Sequence, residues 1–234
     1  MSSFAVKLLA MLTMLADHIG AAFESELPSS VYLLCRTVGR LAMPLFCFMI
    51  AEGLFHTRDA RKYLMRLMMF ALVSEVPFDR LFMGGWLEFS YQNVGFTLLL
   101  GFLGILLFDS FAAQGRKTAA LASILAVGVT AMLIRSDYTI YGVYYVFIFY
   151  YFRGKKWGRA LALAAGVLLM SSHLLMGGED WRFAVVSLAA ATAAIPISLY
   201  NGERGRDGPA MRMAFYAFYP AHLLILYAAT LLIG

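Results

Sequence analysis

Charge is what this chain of 234 residues has least of: only 14% of its residues are Asp, Glu, Lys or Arg, while 62% are hydrophobic. Together with a mean hydropathy of +0.74, that scarcity excludes an ordinary soluble domain and reads as a polytopic membrane protein. Cysteine is scarce too. Cys35 and Cys47 fall in one predicted helix, about 18 Å apart by helical rise, too far to bridge, so no disulfide framework is expected. No cleavable leader is expected: the first apolar run, Phe4 to Phe23, is interrupted by Asp17 and His18, and no convincing small-residue cleavage site follows it. That run is expected to be a retained span. Neither a metal site nor a nucleic-acid partner is expected.

Apolar runs of about 20 residues fill the remaining length and leave room for a single membrane domain over 1–234. Cutting at charged and Gly/Pro/Asn-rich stretches gives nine spans at about 4–23, 31–54, 62–77, 93–112, 118–134, 138–152, 157–175, 181–199 and 213–232. The connection Phe78 to Gln92 has room for an interfacial helix. Every second connection is basic: Arg58, Arg61, Lys62 and Arg66; Arg116 and Lys117; Arg153, Lys155, Lys156 and Arg159; Arg204, Arg206 and Arg212. The alternate connections hold Glu24 and Glu26; Asp79, Arg80 and Glu88; Arg135 and Asp137; Glu179, Asp180 and Arg182. Excess Lys and Arg mark the cytoplasmic side, so this all-α protein is expected to have its N-terminus in the cytoplasm and its C-terminus outside. Topology alone can produce such a bias. A phosphate-rich cytosolic ligand would use the same cations, beside the connections holding Gly53, His56, Thr57, Asn201, Gly202 and Gly205.

Ionisable groups inside spans are costly and become site candidates. Pro220 and His222 interrupt the last span, and a proline there frees a carbonyl about one turn earlier. Counting helical rise puts His222 about 14 Å from the cytoplasmic end and Asp17 and His18 about 20 Å from it. Arg36 and Arg40 enter from the opposite side on one helix face. Adjacent helical residues point about 100° apart, so Asp17 is expected to neutralise Arg36 or Arg40 across the hairpin and leave the imidazoles free. A base beside buried cations suits acyl transfer. Transport would use the same groups, although no inverted repeat is evident. A non-catalytic assembly factor is a third reading. Glu52 and Glu75 are expected to pair with local arginines, and His173 falls near water at a span end. The tyrosines of the sixth span are expected to form an interface belt, and the ion-free fifth span to be lipid-facing scaffold.

Six ordered segments carry a resemblance: LADHIG at Leu15 to Gly20, RTVGRLAMPLFCFMIAEGLFHTRD at Arg36 to Asp59, KYLMRLMMFALVSEVPFD at Lys62 to Asp79, NVGFTLLLG at Asn93 to Gly101, YNGERG at Tyr200 to Gly205 and FYAFYPAHLLIL at Phe215 to Leu226. The chain resembles the TraX proteins, named for the transmembrane enzyme that acetylates the N-terminus of F-type conjugative pilin. The resemblance implies transfer of an acetyl or acyl group from acetyl-CoA in the cytoplasmic (inner) membrane. The acceptor would be an amine or hydroxyl on a pilin-like protein or a glycan, and the likeness does not choose between them. Its motif residues include Asp17, His18, Arg36, Arg40, Tyr200, Asn201, Tyr216, Tyr219 and His222. His18 is expected to act as base, with His222 orienting the thioester or stabilising its oxyanion, and Arg40 with Asp17 holding the first helix. Arg36, Arg58, Tyr200, Asn201, Arg204, Tyr216 and Tyr219 are the expected donor-binding residues.

Overall fold

The computed structural model describes residues 1–155, 157–176, 185–206 and 208–233, with side chains left aside for 173–176. The connection holding Glu179, Asp180 and Arg182 and the side chain of His173 lie outside the described residues. Those residues form helices α1 (Ser3–Ala22), α2 (Ser29–Gly39), α3 (Ala42–His56), α4 (Ala60–Phe78), α5 (Val94–Ala113), α6 (Lys117–Leu133), α7 (Thr139–Tyr151) and α8 (Gly158–Met176). Then follow α9 (Val185–Ser198), tightened to a 3-10 helix over Leu188–Ala193, and α10 (Pro209–Ile233). Because α2 and α3 run on as one 28-residue rod, the described residues contain nine rods. Four are long and apolar enough to cross a membrane: α1, the α2–α3 rod, α5 and α10. The helices α6, α7, α8 and α9 are shorter apolar elements, and α4 carries Arg61, Lys62, Arg66 and Glu75. The protein is an all-helical polytopic membrane protein.

Local chemistry sets the boundaries. The side chains of Ser2, Asp59 and Asn93 cap α1, α4 and α5 by accepting from Ala5, Lys62 and Gly95 amides. Pro44 cannot donate to the Arg40 carbonyl, and the long rod is interrupted at Arg40 and Leu41, leaving the proline in the first turn of α3 where it is tolerated. Pro77 removes another such bond, and α4 passes directly into a π-helical turn, Asp79–Met83, in the connection where an interfacial helix was expected. Pro220 leaves α10 continuous.

Hydrogen bonds fix which ends meet. At one end, Ser3 and Phe4 amides donate to the carbonyls of Glu203 and Arg204 at 2.7 and 3.1 Å, and the Asn201 amide donates to Met1. There too the Arg204 guanidinium donates to the His56 carbonyl and Arg153 reaches both oxygens of the buried Glu52. Tyr150 bonds Asp109, bringing the end of α5 to the same face. At the other end Gln92 pairs with Arg135 and Asp137 through the backbone. The described basic connections thus share one end of the bundle.

Of the tyrosines expected to form an interface belt, Tyr145 is in the core, Tyr138, Tyr141, Tyr144 and Tyr150 are half-buried, and Tyr151 is exposed. α7 lies centrally, against α3, α5, α6 and α8. Its Gly142, Val143, Tyr145, Val146 and Phe149 are buried, and an added Cβ at Gly166 of α8 would overlap the Tyr145 ring. At 13 residues the helix is about 20 Å long, short for a lipid-exposed crossing of about 30 Å but suited to a protein-lined interior. α6 packs one face on α5 and α7 and leaves Leu121 and Leu125 outward. The expectation of an arginine partner for Glu75 is corrected: its carboxylate accepts from the Asn93 backbone and side-chain amides.

Candidate functional site

Asp17 and His18 leave α1 in different directions. The Asp17 carboxylate turns to the α2 end, where Oδ2 meets Arg36 at 3.0 Å and Oδ1 meets Arg40 at 2.8 Å. Glycine at 39 permits that approach, because an added Cβ would overlap Asp17. Both arginines are engaged, where one was expected, and Nε of Arg36 remains buried without a partner.

His18 turns to α10. Its Nδ1 lies 2.7 Å from Nε2 of His222, and the two rings are nearly coplanar, edge to edge, with centroids 5.0 Å apart and 10° between their planes. Nδ1 of His222 lies 2.8 Å from the Phe218 carbonyl. A carbonyl only accepts, so His222 carries its proton on Nδ1 and presents the lone pair of Nε2 to His18. His18 must then donate from Nδ1, which leaves its Nε2 as the lone-pair nitrogen. That nitrogen makes no hydrogen bond to any described residue. In this tautomer neutral His222 has no N–H left for a substrate. Phe82 of the π-helical turn and Tyr219 pack edge-on against His18 at 5.6 and 5.7 Å.

The level at which these rings meet follows from α10 starting at Pro209, four residues before the expected 213, which deepens His222 by about 6 Å. From the starts of α1 and α10, His18 and His222 are then about 22 and 20 Å along, and direct contact follows.

A cavity of about 660 Å³ opens at the basic end between α1, α3, α4, α5 and α10. Lys7, Arg58, Lys62, Arg66, Arg204, Arg206 and Arg212 line it, against one carboxylate, Asp59. The Lys62 amide donates to Asp59 and holds that carboxyl below its ordinary range. Further in, the walls are apolar, with Met11, Met14, Phe46, Met49, Ile50 and Leu67, and the lining includes the rings of Tyr63, Tyr216 and Tyr219. Neither histidine lines the cavity. Tyr219 does, and its ring also touches both histidines, at 5.7 and 5.5 Å.

Of the expected donor-binding residues, Arg58, Arg204, Tyr216 and Tyr219 line this cavity, whereas Arg36, Tyr200 and Asn201 do not. Arg36 is held at the opposite end by Asp17. Tyr200 is buried against Phe48, with its hydroxyl 3.4 Å from Nε2 of His56, and Asn201 bonds Glu203 and Met1. Those two shape the loop that delivers Arg204. Lys7 and Tyr63 line the cavity without a motif to announce them; the available signal for Lys7 was its being the sole basic residue in the first apolar run.

Comparison with known proteins agrees with a match along the whole chain. The TraX protein family matches residues 2–230. A similar protein is the "Probable fimbrial assembly protein FimC, serogroup H1" of Dichelobacter nodosus, 30% identical over 243 residues, a match covering 97% of this chain and 95% of that protein. No solved structure matches. A match of this length, over residues 2–230, identifies the chain as a member of the TraX family.

Proposed function

We propose that this protein is an acyltransferase of the cytoplasmic (inner) membrane that moves an acyl group, in the simplest case acetyl, from acetyl-CoA to an amine or hydroxyl. The observation that carries the reading is a hydrogen-bonded histidine pair one aromatic ring away from a cavity with a basic mouth and an apolar throat. Acetyl-CoA fits this donor set by chemistry. Its phosphates match a mouth of seven cations and one carboxylate, and its narrow arm matches the apolar throat.

An amine acceptor is protonated at neutral pH and a hydroxyl is a weak nucleophile, so attack on a thioester needs a base within reach. In the proposed step, Nε2 of His18 takes the acceptor proton as the acceptor N or O bonds to the carbonyl carbon. The C–S bond then breaks, and the departing thiolate receives the proton from His18. Acyl-S-CoA and H–X become acyl–X and CoA–SH, with no other reactant. His222, fixed by Phe218, orients His18 and shares the positive charge of the imidazolium; Arg40 and Asp17 hold α1 in register. The acceptor enters from the end opposite the cations. The name of the Dichelobacter relative favours a fimbrial subunit as acceptor, and a glycan is the alternative of the same chemistry.

Purified protein in lipid nanodiscs, given labelled acetyl-CoA and candidate acceptors, should release CoA and acetylate one of them. His18→Ala should lower turnover by about 10²- to 10⁴-fold while CoA still binds. Full transfer activity in a folded His18→Ala protein would rule the mechanism out. The relative's name also favours a non-catalytic assembly role, and normal fimbrial assembly by His18→Ala in cells would select it.

A further inference from the structure

With the base assigned to His18, the thioester oxygen still needs a donor for the charge it gains during attack. The histidines are excluded. His222 spends Nδ1–H on Phe218 and Nε2 on His18, and His18 spends Nδ1–H on His222, so no imidazole N–H remains for the oxygen.

Five residues that bear hydroxyls line the cavity: Ser3 and Thr57 at its basic mouth, and Tyr63, Tyr216 and Tyr219. Tyr63 is three residues into α4, near the mouth, beneath the Arg66 guanidinium and with its hydroxyl against Gly53. Tyr216 is one turn shallower than Tyr219 on α10, and its ring packs against Phe70 at 6.1 Å. Tyr219 alone among them touches both histidines. Its ring is pinned between the histidines and Phe70 and is 2% exposed. A side chain held this way does not have to reorganise during the reaction, the condition under which a donor is worth most.

The Tyr219 proton goes to no carbonyl or carboxylate among the described residues.

Resting on the acyl-transfer reading, we propose that the Tyr219 hydroxyl is a catalytic residue that donates the hydrogen bond to the thioester carbonyl oxygen as it becomes an oxyanion. Tyr63 and Tyr216 line the arm.

The test is Tyr219→Phe, which keeps the ring and its packing. Removing one oxyanion donor should lower kcat by about 10²- to 10³-fold with KM for acetyl-CoA and the affinity for CoA unchanged; retained CoA affinity also reports that the variant is folded. A second readout needs no turnover. In the His18→Ala background, acetyl-CoA carrying a 13C carbonyl should show its C=O stretch at lower wavenumber with Tyr219 than with Phe at that position. A full kcat in Tyr219→Phe, a raised KM at unchanged kcat, or an identical carbonyl band in the two proteins overturns the assignment. Absence of transfer by the wild-type protein overturns the acyl-transfer reading and the Tyr219 role with it.

Discussion

Removing the Asp17 carboxylate tests how the first helix is held. Asp17 sits between two guanidinium groups, at 3.0 and 2.8 Å, and the three side chains are 16, 21 and 15% exposed for Asp17, Arg36 and Arg40. The cluster already carries one positive charge in excess. Asp17→Asn would strand two cations in a region where an unpaired charge costs about 3–5 kcal/mol. Arg36→Gln acts in the other direction: it leaves a neutral Asp17–Arg40 pair and deletes a guanidinium whose buried Nε has no partner, so it should cost about 1 kcal/mol or less. The double variant strands one cation instead of two, so it should be more stable than Asp17→Asn alone by about 1 kcal/mol or more. Equilibrium unfolding in mixed micelles, with CoA binding as a check on the native state, gives the ranking. Asp17→Asn within 1 kcal/mol of wild type, or Arg36→Gln as damaging as Asp17→Asn, would refute the view that this carboxylate is the cluster's essential member. His18 is the next residue, so the expected loss of turnover in Asp17→Asn should exceed what its unfolding alone explains.

The hydrogen-bond direction predicts that His222→Gln, whose amide can accept from His18 and donate to Phe218, keeps more turnover than His222→Leu; equal losses would mean that the ring itself is required. Arg58→Gln and Arg204→Gln should raise KM for acetyl-CoA with less effect on kcat, and added salt should mimic them; unchanged KM in both would make the basic mouth purely topological. In a Cys-free background, Ser29→Cys should react with an impermeant thiol reagent from outside and Gly154→Cys should not, and labelling of the second from outside would reverse the orientation. Asp137, in the connection after α6, accepts from Tyr91, and burial raises its carboxyl from 3.8 to about 6. The folded state therefore binds more protons than the unfolded state between those values, and stability should fall as pH rises through that window. Asp137→Asn should flatten the slope over that window, and an unchanged slope would assign it elsewhere.

Which elements exist was legible because apolar runs and alternating loop charges are local properties of the chain. Their ends were less so, and the site depended on them. Starting the last helix at Pro209 instead of 213 moves His222 by a full turn and brings it level with His18. The Asp17 pairing was readable because Arg36 and Arg40 share a helix face across a short hairpin; its second arginine required Gly39, whose missing side chain makes the space. Tyr145 of α7 was not legible as core, because an aromatic run reads alike at a lipid interface and in a protein interior, and only the neighbours α3, α5, α6 and α8 separate the two. Tyr200 and Asn201 stand in a motif but support a loop, whereas Lys7 stands in none and lines the cavity.

The loop before α10 connects these facts. Residues 1–4 and 199–204 are paired through the backbone, so α1 and α10 start side by side at the basic end and run in the same direction. From that shared origin His18 is fifteen residues along α1 and His222 thirteen along α10, about 22 and 20 Å, close enough in height for one hydrogen bond to join them. The same pairing carries Arg204 to the cavity mouth, where it donates to the His56 carbonyl at 2.7 Å. Loosening this loop would therefore disturb the mouth and the histidine register together, although they lie about 20 Å apart. A buried imidazole pair in a membrane helix bundle is expensive unless each nitrogen is satisfied or used. Here Phe218, His222 and His18 satisfy one another in sequence, and the nitrogen left over is Nε2 of His18.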